Sequence, residues 1–314
     1  MRVGVRVIAV VGEALVDVVV DDEGGVAARP GGGPFNTART LGRLGAPVTF
    51  LGRLSRDAFG RMLRASLGRD HVALGVSVLA DAPTTLAVAE CAPGGGTRYA
   101  FHLTGSAAAD LGYSELAAAL PDRVTAVHVG TLALVMEPIA SSVEQLMADV
   151  PPDALVMVDP NPWPGAIDDR DAYLDRFEGV MHRADAVKVS VEDLDYLCPG
   201  VPAEVAATTL LGEKLALVLV TDGPRPARAF LPSGEVSVAV PEVEVVDTIG
   251  AGDAFGGAFL AWWSANGLGR DDLRLAGPVR EAMRAAAEVA SLTCTRRGAE
   301  PPSLAEVRRV SATW

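Results

Sequence analysis

The sequence is poor in cysteine, has no excess of basic charge and contains no long apolar run. Its three cysteines lie far apart and form no Cys-x-x-Cys or Cys/His pattern, so we expect free thiols rather than disulfides or a zinc site. The net charge of −13 argues against a nucleic acid or an anionic membrane as partner, because both are bound by basic patches. No run approaches the roughly 20 apolar residues of a membrane-spanning helix. We therefore expect a cytoplasmic protein.

A glycine fingerprint for dinucleotides is also missing. The first apolar run leads into Val11-Gly12-Glu13-Ala14-Leu15-Val16, which lacks the Gly-x-Gly-x-x-Gly turn of NAD-binding folds. The sequence therefore argues against an NAD-dependent enzyme. The acidic charge does not exclude a nucleotide, because backbone amides and a metal ion can hold phosphate locally.

Short apolar runs alternate with helix-like stretches over most of the 314 residues. Apolar runs separated by helices are typical of a parallel sheet with helices packed on both faces. The first predicted strands are residues 5–11, 15–20 and 48–52. Helices are predicted over residues 137–149, 169–183, 191–197 and 203–213. No linker or internal repeat is visible, so we expect an α/β fold in which residues 1–314 form one domain.

Two stretches, residues 16–30 and 83–104, break this alternation. Each has strand-like runs around a turn-rich segment, DDEGG in the first and PGGG in the second. Neither has a helix pattern, so together they are expected to form a small antiparallel sheet that projects from the main body. Tyr99 and Phe101 alternate with Arg98 and Ala100, which predicts that the two aromatic rings share one face of that sheet.

Polar or glycine-rich segments follow several predicted strands. In open α/β sheets, ligands bind beyond the carboxyl ends of the strands. We therefore expect these segments to meet in one cleft. They are residues 31–36, 159–161, 188–193, 221–223 and 250–253.

One of these segments is EVVDTIGAGDAFGGAF, which begins at Glu244. An apolar, strand-like run meets a Gly-Ala-Gly turn, and an apolar helix pattern follows from about Ala254. Glycines let N–H groups approach a ligand closely, and a helix N-terminus attracts anions. Asp253 beside such a site could take a proton from a hydroxyl that attacks a phosphoryl group. It could equally cap the helix, and this segment alone leaves both interpretations open.

A second candidate is Gly31-Gly32-Gly33-Pro34-Phe35-Asn36, where three glycines precede a helix that begins with proline. Asn36 on the first helical turn could hydrogen-bond the hydroxyls of a ligand, or it could lie on the surface beside a flexible loop. Asp17 lies inside an apolar strand pattern, where a carboxylate is costly unless it is paired or faces a site. We favour a site for Asp17. The four histidines are scattered, and we assign none of them a role.

These segments, in this order, resemble the signatures of the PfkB, or ribokinase-like, carbohydrate kinases. DTIGAGDAFGGAF is similar to the C-terminal signature of that family, and GGGPFNTARTLGRLGAPVTFLGRLSRDAFG is similar to the N-terminal one. GEALVDVV, HVGTLALVMEP, DPNPW, ADAVKVSVEDLDYL and TRRGAEPP resemble segments of the bacterial fructokinases in the family. The resemblance covers nearly the whole chain. It implies a ribokinase-like fold with a central, mostly parallel sheet and a β-sheet lid over the sugar.

The resemblance implies an ATP-dependent kinase that phosphorylates a hydroxyl of fructose or a similar small sugar. Matching positions assign Asp253 as the general base and Gly250, Ala251 and Gly252 as the anion hole. The implied sugar-binding residues are Asp17, Gly32, Gly33, Asn36 and Phe101.

The resemblance also implies positions for ATP and for metal ions. The implied ATP-binding residues are Lys188, Ser190, Thr221 and Gly223, together with Gly250 and Gly252. Asp193 and Glu192 would hold Mg²⁺ through water. Asp247 and Ile249 fall where related kinases offer groups to a monovalent cation such as K⁺. A homodimer formed through the lid is left open.

The sequence departs from the family pattern at three places. The usual Asn-x-x-Glu motif is Ser190-Val191-Glu192-Asp193, and the usual Thr-Leu-Gly is Thr221-Asp222-Gly223. Trp163 stands where a DPN-x-Arg segment has its arginine, which favours a neutral sugar over an acidic one. The alternatives left open are a 2-keto-3-deoxygluconate kinase, a nucleoside kinase and a non-catalytic regulator that binds a sugar or a nucleotide.

Overall fold

The computed structural model of the chain describes residues 6–20, 23–76, 78–91, 97–212 and 215–314. The side chains of residues 90, 91, 97 and 98 lie outside this description. The start of the predicted strand 5–11, the end of the predicted helix 203–213 and parts of both predicted turns (residues 21–22 and 92–96) also lie outside the described residues.

The chain alternates between strands and helices, as its apolar pattern predicts. The strands are β1 Val7–Val11, β2 Leu15–Val20, β3 Val26–Gly31, β4 Val48–Leu51, β5 Ala73–Leu74, β6 Leu86–Cys91, β7 Thr97–His102, β8 Val124–Gly130, β9 Leu155–Asp159, β10 Ala186–Ser190, β11 Leu217–Thr221, β12 Ala227–Leu231 and β13 Gly234–Val238. The α-helices are α1 Gly33–Arg43, α2 Ala58–Arg69, α3 Tyr113–Ala119, α4 Ile139–Leu146, α5 Arg170–Met181, α6 Val191–Leu197, α7 Ala203–Leu211, α8 Ala251–Ala265, α9 Ala276–Cys294 and α10 Leu304–Val310. Short 3₁₀ turns occupy Thr131–Leu134, Pro164–Ala166 and Asp271–Arg274.

The central sheet has nine strands in the order β13-β12-β11-β10-β9-β8-β1-β4-β5. The neighbours from β11 to β5 pair in parallel, whereas β11–β12 and β12–β13 are antiparallel. The mostly parallel sheet predicted from the sequence is therefore confirmed. The antiparallel hairpin β12–β13 at one edge was not predicted. Only two residues separate its strands, so it departs from the alternation of strands and helices on which the prediction was based.

Helices cover both faces of this sheet because its central strands are apolar on both sides. In β1, Ile8 and Val10 point into one core and Ala9 and Val11 into the other, as the two-residue period of a strand requires. The first core also receives side chains of α1, α2, α8, α9 and α10, and the second those of α3 to α7.

A second, four-stranded sheet with the order β3-β2-β6-β7 lies within the two stretches that broke the alternation. Its hairpins β2–β3 and β6–β7 are antiparallel, as expected, but β2 and β6 pair in parallel. The expectation of an antiparallel sheet is therefore wrong at the centre. The two hairpins join through their first strands, and these strands run in the same direction.

The segment before the Gly-Ala-Gly turn differs from the prediction. Residues 239–250 contain no strand, and Val245 and Val246 are 59% and 53% exposed. The apolar pattern misleads here because β13 is already the edge of the sheet, and Pro241 has no N–H to pair. The helix also begins earlier than predicted, at Ala251 rather than Ala254.

No described helix combines the length and the apolar character that crossing a lipid bilayer requires. Cys198 and Cys294 are free thiols, in agreement with the expectation for these two residues.

Candidate active site

A cavity of about 950 Å³ lies where the carboxyl ends of the central strands face the second sheet. All five of the polar or glycine-rich segments singled out in the sequence contribute to its wall. The residues they supply are Gly32, Gly33, Asn36, Asn161, Lys188, Ser190, Glu192, Asp193, Thr221, Asp222, Gly223, Gly250, Ala251, Gly252 and Asp253. The structure thus brings into one cleft segments that are far apart in the chain.

The N-terminus of α8 forms the floor of this cleft. Gly250 is the N-cap and has a left-handed backbone with φ 76°. A Cβ there would lie 2.4 Å from Cβ of Ala299, so glycine is needed both for the φ angle and for space. The amide of Ala251 donates to the carbonyl of Thr248 at 3.2 Å. The amides of Gly252 and Asp253 follow in the first turn, where helix N–H groups lack an intrahelical acceptor.

Asp253 is in the first turn of α8, but its side chain does not cap the helix. Its Oδ2 accepts a hydrogen bond of 2.9 Å from Nδ2 of Asn36 on α1. Its Oδ1 would lie 3.3 Å from a Cβ at Gly33, so the carboxylate packs against the glycine loop. The structure therefore favours the interpretation of Asp253 as a site residue over that of a helix cap.

Removal from water is the largest influence on the Asp253 carboxyl group and raises its pKa to about 7. The negative charge of Asp159 acts in the same direction, whereas the hydrogen bond from Asn36 and the charge of Lys188 lower the pKa. A carboxyl group with this pKa exchanges its proton near neutral pH, which suits a general base.

Lys188 and Asp159 form a buried ion pair beneath the first turn of α8, with 3.1 Å between Nζ and Oδ2. Burial alone would lower the pKa of Lys188, but the charges of Asp159, Asp193 and Asp253 outweigh it and raise that pKa. A Cβ at Gly252 would lie 2.8 Å from Nζ. Gly252 therefore lets a buried cation lie directly behind the Gly250–Asp253 turn.

The Ser190–Asp193 motif has a local structural role. The Oγ of Ser190 accepts from the amide of Asp193 at 3.0 Å, and Oδ2 of Asp193 accepts from the amide of Ser190 at 2.6 Å. This reciprocal pair is the capping box of α6. One carboxylate oxygen of Asp193 is therefore engaged, whereas Glu192 is exposed on the wall of the same cleft.

The second sheet covers the end of the cleft that holds Asp17. Burial raises the pKa of Asp17 to about 6. The rings of Tyr99 and Phe101 stack with centroids 6.2 Å apart, as their shared face predicts. Both rings also meet Trp163 of the central body, at 5.0 and 5.6 Å. Asp17 and the three rings line the cavity, so this end combines polar and aromatic groups.

Sequence reasoning missed Glu13, which lines the cleft and is fully buried. Its Oε1 accepts a hydrogen bond of 3.1 Å from the amide of Gly33. The signal was present in the sequence, because Glu13 interrupts an apolar run just as Asp17 does. Thr131 was missed as well; it lines the cleft with a left-handed φ of 58°, a strained conformation that is frequent at functional sites.

Asp247 and Ile249 lie beside a second cavity of about 490 Å³ between β3 and the body. The Asp247 carboxylate accepts hydrogen bonds from the amides of Ile249 (3.0 Å) and Gly298 (2.8 Å). Nη1 of Arg29 is 3.8 Å from Oδ2 of Asp247. In this structure the carboxylate is therefore satisfied by protein groups. No group of three potential metal-ligating side chains is present among the described residues.

Comparison with known proteins identifies the family to which the chain is similar. Residues 6–306 match the model of the pfkB family carbohydrate kinases. The chain is 33% identical over 254 residues to a fructokinase of Rhizobium leguminosarum bv. trifolii. The alignment covers 80% of this chain and 77% of the relative.

Two solved structures have the same fold. A fructokinase of Xylella fastidiosa with bound ATP superposes with a TM-score of 0.85 and 26% identity, over 96% of this chain and 97% of that one. A fructokinase of Vibrio cholerae O395, in its fructose, ADP and calcium ion bound form, superposes with a TM-score of 0.83 and 25% identity. That match covers 97% of this chain and 98% of the other.

Proposed function

The chain belongs to the pfkB family of carbohydrate kinases, and on that basis we propose that it transfers the γ-phosphoryl group of ATP to a hydroxyl of fructose or a similar neutral sugar. The observation that carries the proposal is the Asp253 carboxylate, which Asn36 holds at the N-terminus of α8, inside the cleft. This arrangement places a proton acceptor next to a site for phosphate.

Asp253 is the general base of the proposed reaction. It takes the proton of the sugar hydroxyl while the hydroxyl oxygen forms a bond to the γ-phosphorus of ATP. The bond from that phosphorus to the bridging oxygen breaks, and ADP leaves. The sugar-binding residues in this proposal are Asp17, Gly32, Gly33, Asn36 and Phe101, all of which line the same cavity.

The charge of the transferred group is stabilised by the first turn of α8 and by Lys188. The amides of the Gly250–Asp253 turn and the positive end of the helix dipole attract the phosphoryl oxygens. Lys188 adds a buried positive charge behind Gly252. Ser190, Thr221 and Gly223 line the same cleft and would hold the rest of the nucleotide.

Mg²⁺ is the proposed metal ion, with Asp193 and Glu192 as its protein contacts through water. Mg²⁺ is usually held by one or two carboxylates together with the phosphates of the substrate. The two acidic side chains on the cleft wall fit that donor set, although Asp193 has one oxygen engaged in the capping box of α6. When bound, Mg²⁺ neutralises phosphate charge and orients the phosphates.

A neutral sugar fits the aromatic end of the cleft better than a sugar acid does. Trp163 occupies the DPN-x-Arg arginine position, and its ring contacts Tyr99 and Phe101 instead of offering a charge. The Vibrio cholerae relative binds fructose. A charge-assisted hydrogen bond is worth about 1.5–3 kcal/mol, so the lost arginine disfavours an acidic sugar by roughly 10- to 100-fold.

The second sheet is the proposed lid. Its aromatic face covers the sugar end of the cleft, and closure would exclude water and limit hydrolysis of ATP. A homodimer through the lid, a cytoplasmic location and binding of K⁺ by Asp247 and Ile249 remain predictions. Arg29 lies beside Asp247 and competes with a cation there.

Release of ADP with ATP and Mg²⁺ across a panel of ketoses, aldoses, sugar acids and nucleosides tests the proposal. We expect the highest kcat/KM with fructose or another neutral sugar. A clear preference for 2-keto-3-deoxygluconate or for a nucleoside would contradict the proposed substrate class. ATP binding without turnover of any substrate would favour the non-catalytic regulator.

A further inference from the structure

The carboxyl group of Glu13 lies in the candidate active site but has no role in the proposed reaction. It lies in the turn between β1 and β2, is 0% exposed, and contributes to the wall of the main cavity. Its Oε2 has no hydrogen-bond partner in the structure. Within the described part of the chain, no cationic side chain lies within ion-pair distance of Glu13.

The contacts of Glu13 tie together three segments of the cleft wall. Oε1 accepts the hydrogen bond from the amide of Gly33, and the amides of Glu13 itself and Ala133 also interact with the carboxyl group. The backbone of Gly32 also packs closely against the backbone of Glu13, since a Cβ at Gly32 would lie 2.9 Å from the carbonyl oxygen of Glu13. Glu13 therefore fixes the glycine loop relative to β1 and to the turn that follows β8.

The position of Gly33 matters for Asp253. A Cβ at Gly33 would meet Oγ1 of Thr131 at 2.4 Å and Oδ1 of Asp253 at 3.3 Å. Gly33 is thus packed between Thr131 and the proposed base, while its amide is held by Glu13. A displacement of this loop would change both the sugar site and the surroundings of Asp253.

The charges around Glu13 disfavour its ionised form. Burial has the largest effect, and the negative charge of Asp253 on α8 adds to it. Together they outweigh the backbone amides and raise the pKa of Glu13 to about 8. The other charged groups on the neighbouring elements are Asp17 on β2 and the Asp159–Lys188 pair on β9 and β10. Lys188 is paired with Asp159 and is not among the groups that influence the pKa of Glu13.

We propose that Glu13 is a positioning residue for phosphoryl transfer and that it acts as an uncharged acid, holding the Gly33 loop against Asp253 without a second negative charge beside the base. This inference rests on the proposed role of Asp253. An ionised Glu13 would repel the ionised base and the incoming phosphates, whereas a protonated one keeps the hydrogen bond to Gly33 at no such cost.

Two substitutions of similar size separate the hydrogen bond from the charge. Glu13→Gln keeps an acceptor for the amide of Gly33, so we expect kcat/KM for the sugar to fall only about 2- to 5-fold. Glu13→Met leaves that buried amide unpaired, and kcat/KM for the sugar should fall roughly 10- to 100-fold with little change in the KM for ATP. Glu281→Gln on the exposed face of α9 is the control for the same chemical change far from the cleft.

The pH profile of Glu13→Gln tests the protonation state. If Glu13 is uncharged, the acid limb of the kcat profile should remain where it is in the wild type. A shift of that limb to lower pH by half a unit or more would show that the substitution removed a charge near Asp253, and would overturn the proposal. Equal activity losses in the Gln and Met variants would overturn the role of the hydrogen bond to Gly33.

An infrared difference spectrum gives a readout that needs no turnover. Wild type minus Glu13→Gln at pH 7 should contain the carbonyl stretch of a protonated carboxyl group, and carboxylate bands in its place would contradict the proposal. This spectrum remains decisive if Glu13→Met does not fold. It also separates the two claims, because absence of kinase activity with every sugar would refute the proposed function but leave the protonation state of Glu13 measurable.

Discussion

Asn36 and Asp253 lie 217 residues apart in the chain, and Nδ2 of Asn36 donates a hydrogen bond of 2.9 Å to Oδ2 of Asp253. The contact joins the first turn of α1 to the first turn of α8, so it connects the two glycine-rich signatures directly. The other amide atom of Asn36, Oδ1, is buried and has no partner in the structure. Asn36 therefore orients the proposed base and keeps one acceptor at the cleft.

Loss of the Asn36 amide should change the pH dependence of the reaction. The hydrogen bond from Asn36 lowers the pKa of Asp253, so Asn36→Ala should raise that pKa above its wild-type value of about 7. The acid limb of the kcat profile should then move to higher pH, and kcat/KM at pH 7 should fall roughly 10- to 100-fold. Asn266→Ala at the exposed C-terminal end of α8 is the control. An unchanged acid limb in Asn36→Ala would contradict the conclusion that the hydrogen bond from Asn36 lowers the pKa of the catalytic base.

The buried carboxyl groups of the cleft should make the protein less stable as pH rises. Each has a raised pKa in the folded state: Glu13 from 4.5 to about 8, Asp253 from 3.8 to about 7 and Asp17 from 3.8 to about 6. Between each pair of values the folded protein binds more protons than the unfolded chain, so the free energy of unfolding falls with rising pH.

Thermal melting between pH 5 and pH 8 measures this effect in the wild type and in Asp253→Asn. The stability advantage of the variant over the wild type should be larger at pH 8 than at pH 5 by roughly 2–3 kcal/mol, and it should appear as a larger difference in Tm at pH 8. A lower Tm of Asp253→Asn at pH 8 would show that the ionised carboxylate stabilises the fold.

Lys188 should contribute to both stability and catalysis, and a second substitution can separate the two. Lys188→Met leaves Asp159 buried without its counter-charge and should destabilise the protein by about 3–5 kcal/mol. The double variant Lys188→Met/Asp159→Asn removes both charges and should recover much of the Tm. Its kcat should remain low, because the cation behind Gly252 is missing. Recovery of kcat together with Tm would mean that Lys188 has only a structural role.

The aromatic face of the second sheet should affect the sugar more than the nucleotide. Phe101 stacks on Tyr99 and meets Trp163 at the end of the cleft where we propose that the sugar binds. Phe101→Ala should therefore raise the KM for the sugar several-fold and leave the KM for ATP within about twofold. Equal increases in both KM values, or loss of the folded state, would identify Phe101 as a core residue instead.

Much of the fold could be predicted because the central strands are apolar on both faces and the helices between them have clear boundaries. Helix α6 begins and ends at the predicted residues, 191 and 197. Prediction failed where an apolar run has no strand to pair with. Val245 and Val246 have the composition of a strand, but they lie beyond the sheet edge and are exposed.

The candidate site was predictable where a glycine motif marks the start of a helix, as in the Gly250–Asp253 turn at the N-terminus of α8. The contacts between side chains in the site could not be predicted, because no sequence pattern indicates that Asn36 hydrogen-bonds Asp253 or that Lys188 pairs with Asp159. The first contact depends on the packing of α1 against α8, and the second depends on β9 and β10 becoming neighbours in the sheet. Glu13 could have been found, since an acidic residue in an apolar run is as informative there as at Asp17.

Asp253→Asn is the most direct test of the account, because the variant keeps the size of the side chain but cannot accept the proton. We expect kcat to fall by about 10²–10⁴. ATP affinity, measured by calorimetry, should change less than about threefold, because the amides of α8 and the Lys188 charge remain. Melting would confirm that the variant is folded. A folded Asp253→Asn variant with near-normal kcat would contradict the proposed base and the phosphoryl-transfer mechanism built on it.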